Sequence, residues 1–302
     1  AWRNVIIILS VLSPAVLNSN VQINSESLYS FFSLSSLLSI LIYSAKKINC
    51  FFWIGALSAV GAFYSRSIGI SLLIAIWIFL IINKEYRNAI FFSIALLIMI
   101  FPWFIRNSAL GDSSYVNIFF SLNPYSIDSK TLDFVDLVQR FTLNICRYIG
   151  KIMPDLFFFP FLGKISPYNP FKIVLGLCIS LFLLIGFYKR NREKICIINI
   201  YFFIYILICI VWTWYDVRFL LPIFPFIIFY LIEGIHEAKR MIKLKSNSFS
   251  SLLENIIFRK LILGFFILFL LIGDIYITYD NHRKIKDSTW NEYHNASLWL
   301  KE

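Results

Sequence analysis

An all-α integral membrane protein of about nine transmembrane helices is the fold class this sequence predicts. Three observations predict it. Of the 302 residues, 59% are hydrophobic and 15% charged, against roughly half and a quarter in a soluble domain. The apolar residues gather in runs close to the ~20 residues that a helix needs to cross a bilayer. The basic residues collect in every second loop, as the positive-inside rule requires of a polytopic protein.

The runs fall at 3–18, 28–45, 50–65, 67–83, 88–105, 171–188, 195–213, 218–235 and 260–279. The stretch 50–83 is too long for one crossing, and its one polar break, Tyr64-Ser65-Arg66-Ser67, predicts two helices joined by a very tight turn. Arg3, Lys46, Lys47, Lys84, Arg87 and the clusters at 189–194 and 239–260 put 15 of the 28 basic residues on one side. That side is expected to be cytoplasmic. The opposite side receives 18–27, the 64–67 turn, the long segment 106–170, the 214–217 turn and the tail from 280 onward. A single transmembrane domain over 1–280 followed by an outer tail, 281–302, is the simplest organisation. The chain opens on Ala1-Trp2-Arg3-Asn4 directly before an apolar run, and an apolar pattern restarts at Trp299-Leu300. A fragment open at both ends is therefore expected.

Within the long outer segment, Leu132, Phe134, Leu137, Val138, Phe141, Ile145 and Tyr148 recur at helical spacing, with Asp133, Asp136, Gln139, Arg140 and Arg147 elsewhere. This predicts an amphipathic helix lying in the membrane interface. The following Met-Pro-Asp-Leu-Phe-Phe-Phe-Pro-Phe is apolar and aromatic but too short to span. It is either a re-entrant segment lining a lipid-facing groove or a packed outer loop.

A net charge of +11 would suggest nucleic acid in a soluble protein. Here the charge sits in short loops and no basic stripe alternates with exposed aromatics, so a nucleic-acid partner is not expected. Cys50, Cys146, Cys178, Cys196 and Cys209 are scattered, and His236, His282 and His294 lack partners at ligand spacing. Neither a disulfide framework nor a zinc site follows.

Four charges at span ends stand out, because an ionisable residue at the hydrocarbon edge is a functional candidate by default. Threaded through the bilayer, Glu26, Arg66, Arg106 and Arg218 share the outer face. Each has a plain alternative. Glu26, beside Ser25, would complement a helix N-terminus, and Arg66 would snorkel to headgroups. Arg106 follows Pro102 and Trp103 as a belt residue at a helix C-terminus, and Arg218 would pair with Asp216. The functional alternative is a site for an anion, in which planar guanidinium groups clamp a phosphate. Glu26 would then position a sugar hydroxyl or a divalent metal, the one cofactor left open.

The segment Ser13-Pro14 … Asn24-Ser25-Glu26-Ser27-Leu28-Tyr29 resembles a motif of the multi-spanning C-type glycosyltransferases. That superfamily includes dolichyl-phosphate-mannose–protein mannosyltransferase-like enzymes and aminoarabinose transferases. Tyr64-Ser65-Arg66-Ser67-Ile68-Gly69, Phe101-Pro102-Trp103-Phe104-Ile105-Arg106-Asn107 and Arg218-Phe219-Leu220-Leu221-Pro222 resemble its later motifs. Ala296-Ser297-Leu298-Trp299-Leu300 is similar to the opening of its outer tail, and the pieces come in the family's order. The resemblance implies transfer of a sugar from a polyprenyl-phosphate donor to a lipid, glycan or protein acceptor outside the plasma membrane of a bacterium or archaeon. Arg66, Arg106 and Arg218 match positions expected to hold the donor phosphate, and Glu26 a supporting acidic position. It also implies a lipid tail resting among Leu156–Leu162. The family's main catalytic aspartate lies in the first outer loop, which precedes this chain, so the general base is expected upstream of Ala1 and the fragment itself is expected to be inactive. A lipid-linked sugar flippase or transporter and a non-catalytic assembly subunit are the competing readings. A transporter would place charge near the bilayer middle and show half-to-half repeats, whereas here the charge sits at one rim. Asn295-Ala296-Ser297 is a glycosylation sequon, informative only in a eukaryotic secretory setting.

Overall fold

The computed structural model describes residues 2–11, 13, 15–16, 25–109, 118–121, 131–158, 161–162, 165–166 and 168–243, with single positions at 272, 273, 275 and 279. Among them the protein is helical, apart from an isolated antiparallel bridge between Ser121 and Thr131. In chain order the helices are α1 (Trp2–Val11), α2 (Glu26–Lys46), α3 (Asn49–Ser65), α4 (Ile70–Ile82), α5 (Tyr86–Ala109), α6 (Phe134–Arg147), α7 (Met153–Phe158), α8 (Pro170–Glu193), α9 (Ile197–Val211) and α10 (Phe224–Lys243). Short 3₁₀ turns at Ser67–Gly69 and Val217–Ile223 lead into α4 and α10, and a π-helical turn at Tyr148–Ile152 joins α6 to α7.

Four stretches are long and apolar enough to cross a membrane: Glu26–Lys46, Tyr86–Trp103, Pro170–Glu193 and Val217–Met241. Asn49–Ser65, Ser67–Ile82 and Ile197–Val211 are apolar but shorter. These seven coincide with expected runs. The expected span at 260–279, apart from four single positions, and the tail 281–302 lie outside the described residues. The predicted break near Arg66 is a real one. Arg66 is extended, with φ −153° and ψ 138°, between the end of α3 and the 3₁₀ turn that starts α4.

The bundle has an apolar core and, unlike a soluble one, an apolar outer face as well. On α2, Leu28, Phe31, Leu34 and Leu38 are exposed, while Tyr29, Ser33, Ser36, Leu37, Ile40 and Tyr43 are buried on the other face. Lipid solvates leucine as well as a protein core does, so helices associate through small residues and interhelical hydrogen bonds. The α2–α3 pair shows both features. Ser36 Oγ donates to the Gly55 carbonyl at 2.8 Å, and Ala56, Ala59 and Ala62 on α3 are buried. Tyr29 and Tyr201 meet hydroxyl to hydroxyl at 3.0 Å, joining α2 to α9.

The α8–α10 pair crosses on two glycines. A Cβ at Gly186 would lie 1.9 Å from the Tyr230 carbonyl oxygen, and one at Gly234 would lie 1.7 Å from that of Phe182. Only glycine allows backbones to approach so closely. This crossing carries the C-terminal half of the bundle, including the 217–223 turn at its far end. Gly234→Val should cost at least about 2 kcal/mol through overpacking against backbone. The check is thermal unfolding in detergent, with the lipid-exposed Leu181→Val, expected to change little, as control.

Candidate functional site

Glu26 and Arg66 come together at the end of the bundle opposite the basic loops. Glu26 lies in the first turn of α2 and Arg66 at the break between α3 and α4. The carboxylate Oε1 and guanidinium Nη1 are 2.5 Å apart, and the two side chains are 7% and 16% exposed. A buried charge is tolerable only when paired. The plain account of Glu26 as a charge at the α2 N-terminus holds, and the ion pair adds to it. Ser25 makes no side-chain cap on α2, Glu26 neutralises an arginine as well as facing the helix dipole, and Arg66 is tied inside the bundle rather than reaching for headgroups.

Phe219 links this pair to Arg218. The Arg66 guanidinium carbon lies 5.5 Å from the Phe219 ring centroid, and that of Arg218 lies 5.4 Å from it. Cations held against an aromatic ring are attracted by its quadrupole. Asp216 caps the 3₁₀ turn by accepting from the Arg218 backbone N–H at 3.0 Å, and its other oxygen stands 3.6 Å from Arg218 Nε. Both side chains are about half exposed, so the pairing between them is weak. Arg218 therefore keeps most of its capacity to meet an anion.

The opposite wall is α6, which forms with the predicted spacing. Asp133 and Asp136 make a reciprocal capping box at its N-terminus. Its predicted apolar residues divide between two surroundings: Phe134 and Val138 are exposed, and Leu137, Phe141 and Ile145 are half-buried. Asp136, Arg140, Asn144, Arg147 and Lys151 recur every three or four residues along one stripe that turns toward the bundle. Asn144, fully buried, donates from Nδ2 to the Ile210 and Trp212 carbonyls, at 2.8 Å each. It caps α9 and fixes α6 upon it. Arg140 donates to the carbonyls of Phe119 and Ser121 and to Thr213 Oγ1, which spends its donors on holding backbone. Burial lowers the Arg140 guanidinium below its ordinary value, with Asp136 pulling the other way. Arg147 and Lys151 lie over the ring of Tyr215, at 4.5 Å and 5.4 Å from its centroid.

Between these walls is a cavity of about 790 Å³, lined by Asp136, Arg140, Arg147, Lys151, Arg218 and the aromatic turn Trp214-Tyr215, among others. Its charge balance is cationic. Asp136 accepts from the Asp133 backbone N–H and Asp216 from that of Arg218, so both carboxylates are occupied in caps. Arg147, Lys151 and Arg218 are the cations left facing the space. Such a site can hold an anion of phosphate size beside aromatic rings.

The sequence-predicted residues divide. Glu26, Arg66 and Arg218 converge around Phe219, with only Arg218 lining the cavity. Arg106 is exposed on the last turns of α5 and does not line it, although Trp103 nearby packs on Phe63 of α3 at 5.5 Å. Arg147 and Lys151 were missed as candidates. The available signal was their place on the polar stripe of an amphipathic helix. Glu26, the expected metal or sugar contact, is committed to Arg66, and no group of three His, Cys, Asp or Glu side chains forms a metal site among the described residues.

The expected resting place for a lipid tail, Leu156–Leu162, is corrected over its first residues; Phe161 is exposed, and residues 159–160 lie outside the described residues. Leu156 and Phe157 are buried, and Phe157 packs on Phe224 at 5.4 Å, so α7 is a packed wedge. Asp155 and Lys172 hold that wedge down. Their charged atoms are 2.7 Å apart at 4% and 1% exposure, and Lys172 also donates to the Leu162 carbonyl at 3.0 Å. Burial pushes the Asp155 carboxyl above its ordinary value, against the pull of Lys172 and Lys151. Gly176 completes the seat, since a Cβ there would lie 1.8 Å from the Ile149 carbonyl oxygen.

Comparison with protein-family models, curated proteins and solved structures found no match to this chain. The buried pair offers a direct test of how the cavity wall is held. Lys172→Met alone should destabilise by about 3–5 kcal/mol because it strands Asp155, whereas Asp155→Leu with Lys172→Met should recover most of the loss. Denaturation midpoints of the single and double variants read this out.

Proposed function

We propose that this protein is a membrane glycosyltransferase, moving a sugar from a polyprenyl-phosphate donor to a lipid, glycan or protein acceptor at the outer face of a bacterial or archaeal plasma membrane. The observation that carries this reading is the cationic cavity, in which Arg147, Lys151 and Arg218 face one space beside Trp214 and Tyr215. A helix with exposed Phe134 and Val138 forms its wall, which suits a ligand that is half lipid and half anion. The ordered motif resemblance supports the same chemistry. The nine-span topology with basic loops inside belongs to this reading and places the cavity outside.

In the proposed reaction an acceptor hydroxyl or amine attacks the anomeric carbon, and the bond from that carbon to the lipid-phosphate oxygen breaks. Negative charge grows on the departing phosphate, and the acceptor proton passes to a carboxylate general base. Preplaced cations stabilise the developing charge more than they stabilise the ground state. Arg218 would meet the phosphate from the 217–223 turn, Arg147 from the end of α6 and Lys151 from the π-helical turn after it. The Glu26–Arg66 pair stands behind Phe219 and holds Arg218's platform. It is a positioning pair, and Arg106 has no part in the phosphate contact.

Farnesyl phosphate is a short probe for the donor. Its binding to the purified protein, measured by calorimetry, should weaken about tenfold in Arg218→Gln and again in Lys151→Gln, as loss of one charge-assisted hydrogen bond predicts. Farnesol, which lacks the phosphate, should bind all three proteins alike. Equal farnesyl phosphate affinity in wild type and both variants would sink the phosphate assignment.

A further inference from the structure

We propose that the opposite, basic end of the bundle holds a second anion site, which takes the phosphate headgroup of an anionic phospholipid from the leaflet on that side. A cavity of about 560 Å³ opens there between the ends of α2 and α4 and the starts of α3 and α5. Lys47, Lys84 and Arg87 line it, with Glu85 as its acid and Trp53 and Phe91 on its flanks.

Glu85 is fully engaged. It pairs with Lys47, accepts from the Tyr43 hydroxyl and accepts from Asn88 Nδ2 at 3.0 Å. Burial alone would raise its carboxyl, but the hydrogen bonds from Lys47, Tyr43 and Asn88 outweigh it and hold the carboxyl below its ordinary value. The acid thus stays charged and neutralises Lys47. Lys84 and Arg87 are left with no acidic partner among the described residues, and Arg87 lies over Phe91 at 5.5 Å from its centroid. The cavity carries a surplus of two cations, which an anion complements.

The flanks point to a lipid as the source of that anion. Trp53, Ile54 and Leu57 on α3 and Ile90, Phe91 and Ile94 on α5 are exposed and run from the cavity along the apolar lengths of both helices. An acyl chain lying along this surface would bring its phosphate to Lys84 and Arg87. Positive-inside topology explains lysines in this loop. It does not explain an open-mouthed cavity that joins them to two exposed aromatic residues, Trp53 and Phe91. Both Lys47 and Lys84 adopt left-handed backbone conformations, φ 55° and 59°, at positions where glycine is the usual choice.

This inference rests on the membrane-embedded reading and not on sugar transfer, so its test uses lipid retention. Phosphatidylglycerol and phosphatidylcholine would be titrated onto the detergent-purified protein and counted by native mass spectrometry. Phosphatidylglycerol should be retained in preference, and Lys84→Gln and Arg87→Gln should each weaken it about fivefold, the worth of one basic residue at an anionic surface. Lys151→Gln with Arg218→Gln, at the other end, should leave that retention intact. Unfolding temperatures measured in phosphatidylcholine should match wild type, which separates binding from folding. Equal retention of the two lipids, or undiminished phosphatidylglycerol binding in the Lys84→Gln/Arg87→Gln protein, would overturn the proposal. Protection by free glycerol 3-phosphate as strong as that by the lipid would overturn it too, by assigning the cavity to a soluble phosphate.

Discussion

The ion pair between Glu26 and Arg66 is the interaction on which the candidate site depends. It joins the start of α2 to the break between α3 and α4 in a setting where neither charge is tolerable alone. Phe219 rests against Arg66, so the 217–223 turn is placed relative to three helices by one guanidinium. The Arg218 guanidinium lies against the same ring. Pairs of this kind add little net stability over well-packed apolar residues, but stranding one partner is costly, so they enforce a single arrangement.

The second wall is held by different means. Asn144 satisfies the last carbonyls of α9, which would otherwise be orphaned at a helix C-terminus. Asp155 with Lys172, and the close backbone approach at Gly176, seat α7 and the π-helical turn on α8. Asn144, Asp155 and Lys172, which fix the wall, are buried, and Asn144 and Lys172 donate to backbone carbonyls. The cations left facing the cavity, Arg147, Lys151 and Arg218, are the ones whose charge is not spent. This division of labour separates structural from ligand-facing cations where charge alone would group them.

Much of the framework was legible in the sequence. The polar break at Arg66 fell where α3 ends, the amphipathic spacing found α6, and seven apolar runs became helices. These features are local, set by the spacing of apolar residues and by helix geometry. The site was legible only in part. Glu26, Arg66 and Arg218 were singled out because a charge at the edge of an apolar run is conspicuous. Arg147 and Lys151 were not, because a basic residue on a polar helix face is ordinary until its neighbours are known. Arg106 had the same sequence signal as Arg66 yet ends exposed, with no acidic partner among the described residues to match the Glu26 that α2 brings to Arg66.

The sequence by itself determined that the chain is helical and membrane-like, which end of the bundle gathers the basic loops, and which charges sit at the other rim. Period, run length and loop composition decide those properties before any two helices touch. Only the tertiary structure decided that Glu26 belongs to Arg66, that Arg66 and Arg218 share the ring of Phe219, and that α7 is a wedge rather than a groove. Whether a rim charge is spent or available depends on which partner lies within a few ångströms. That distance is fixed by packing between segments far apart in the chain.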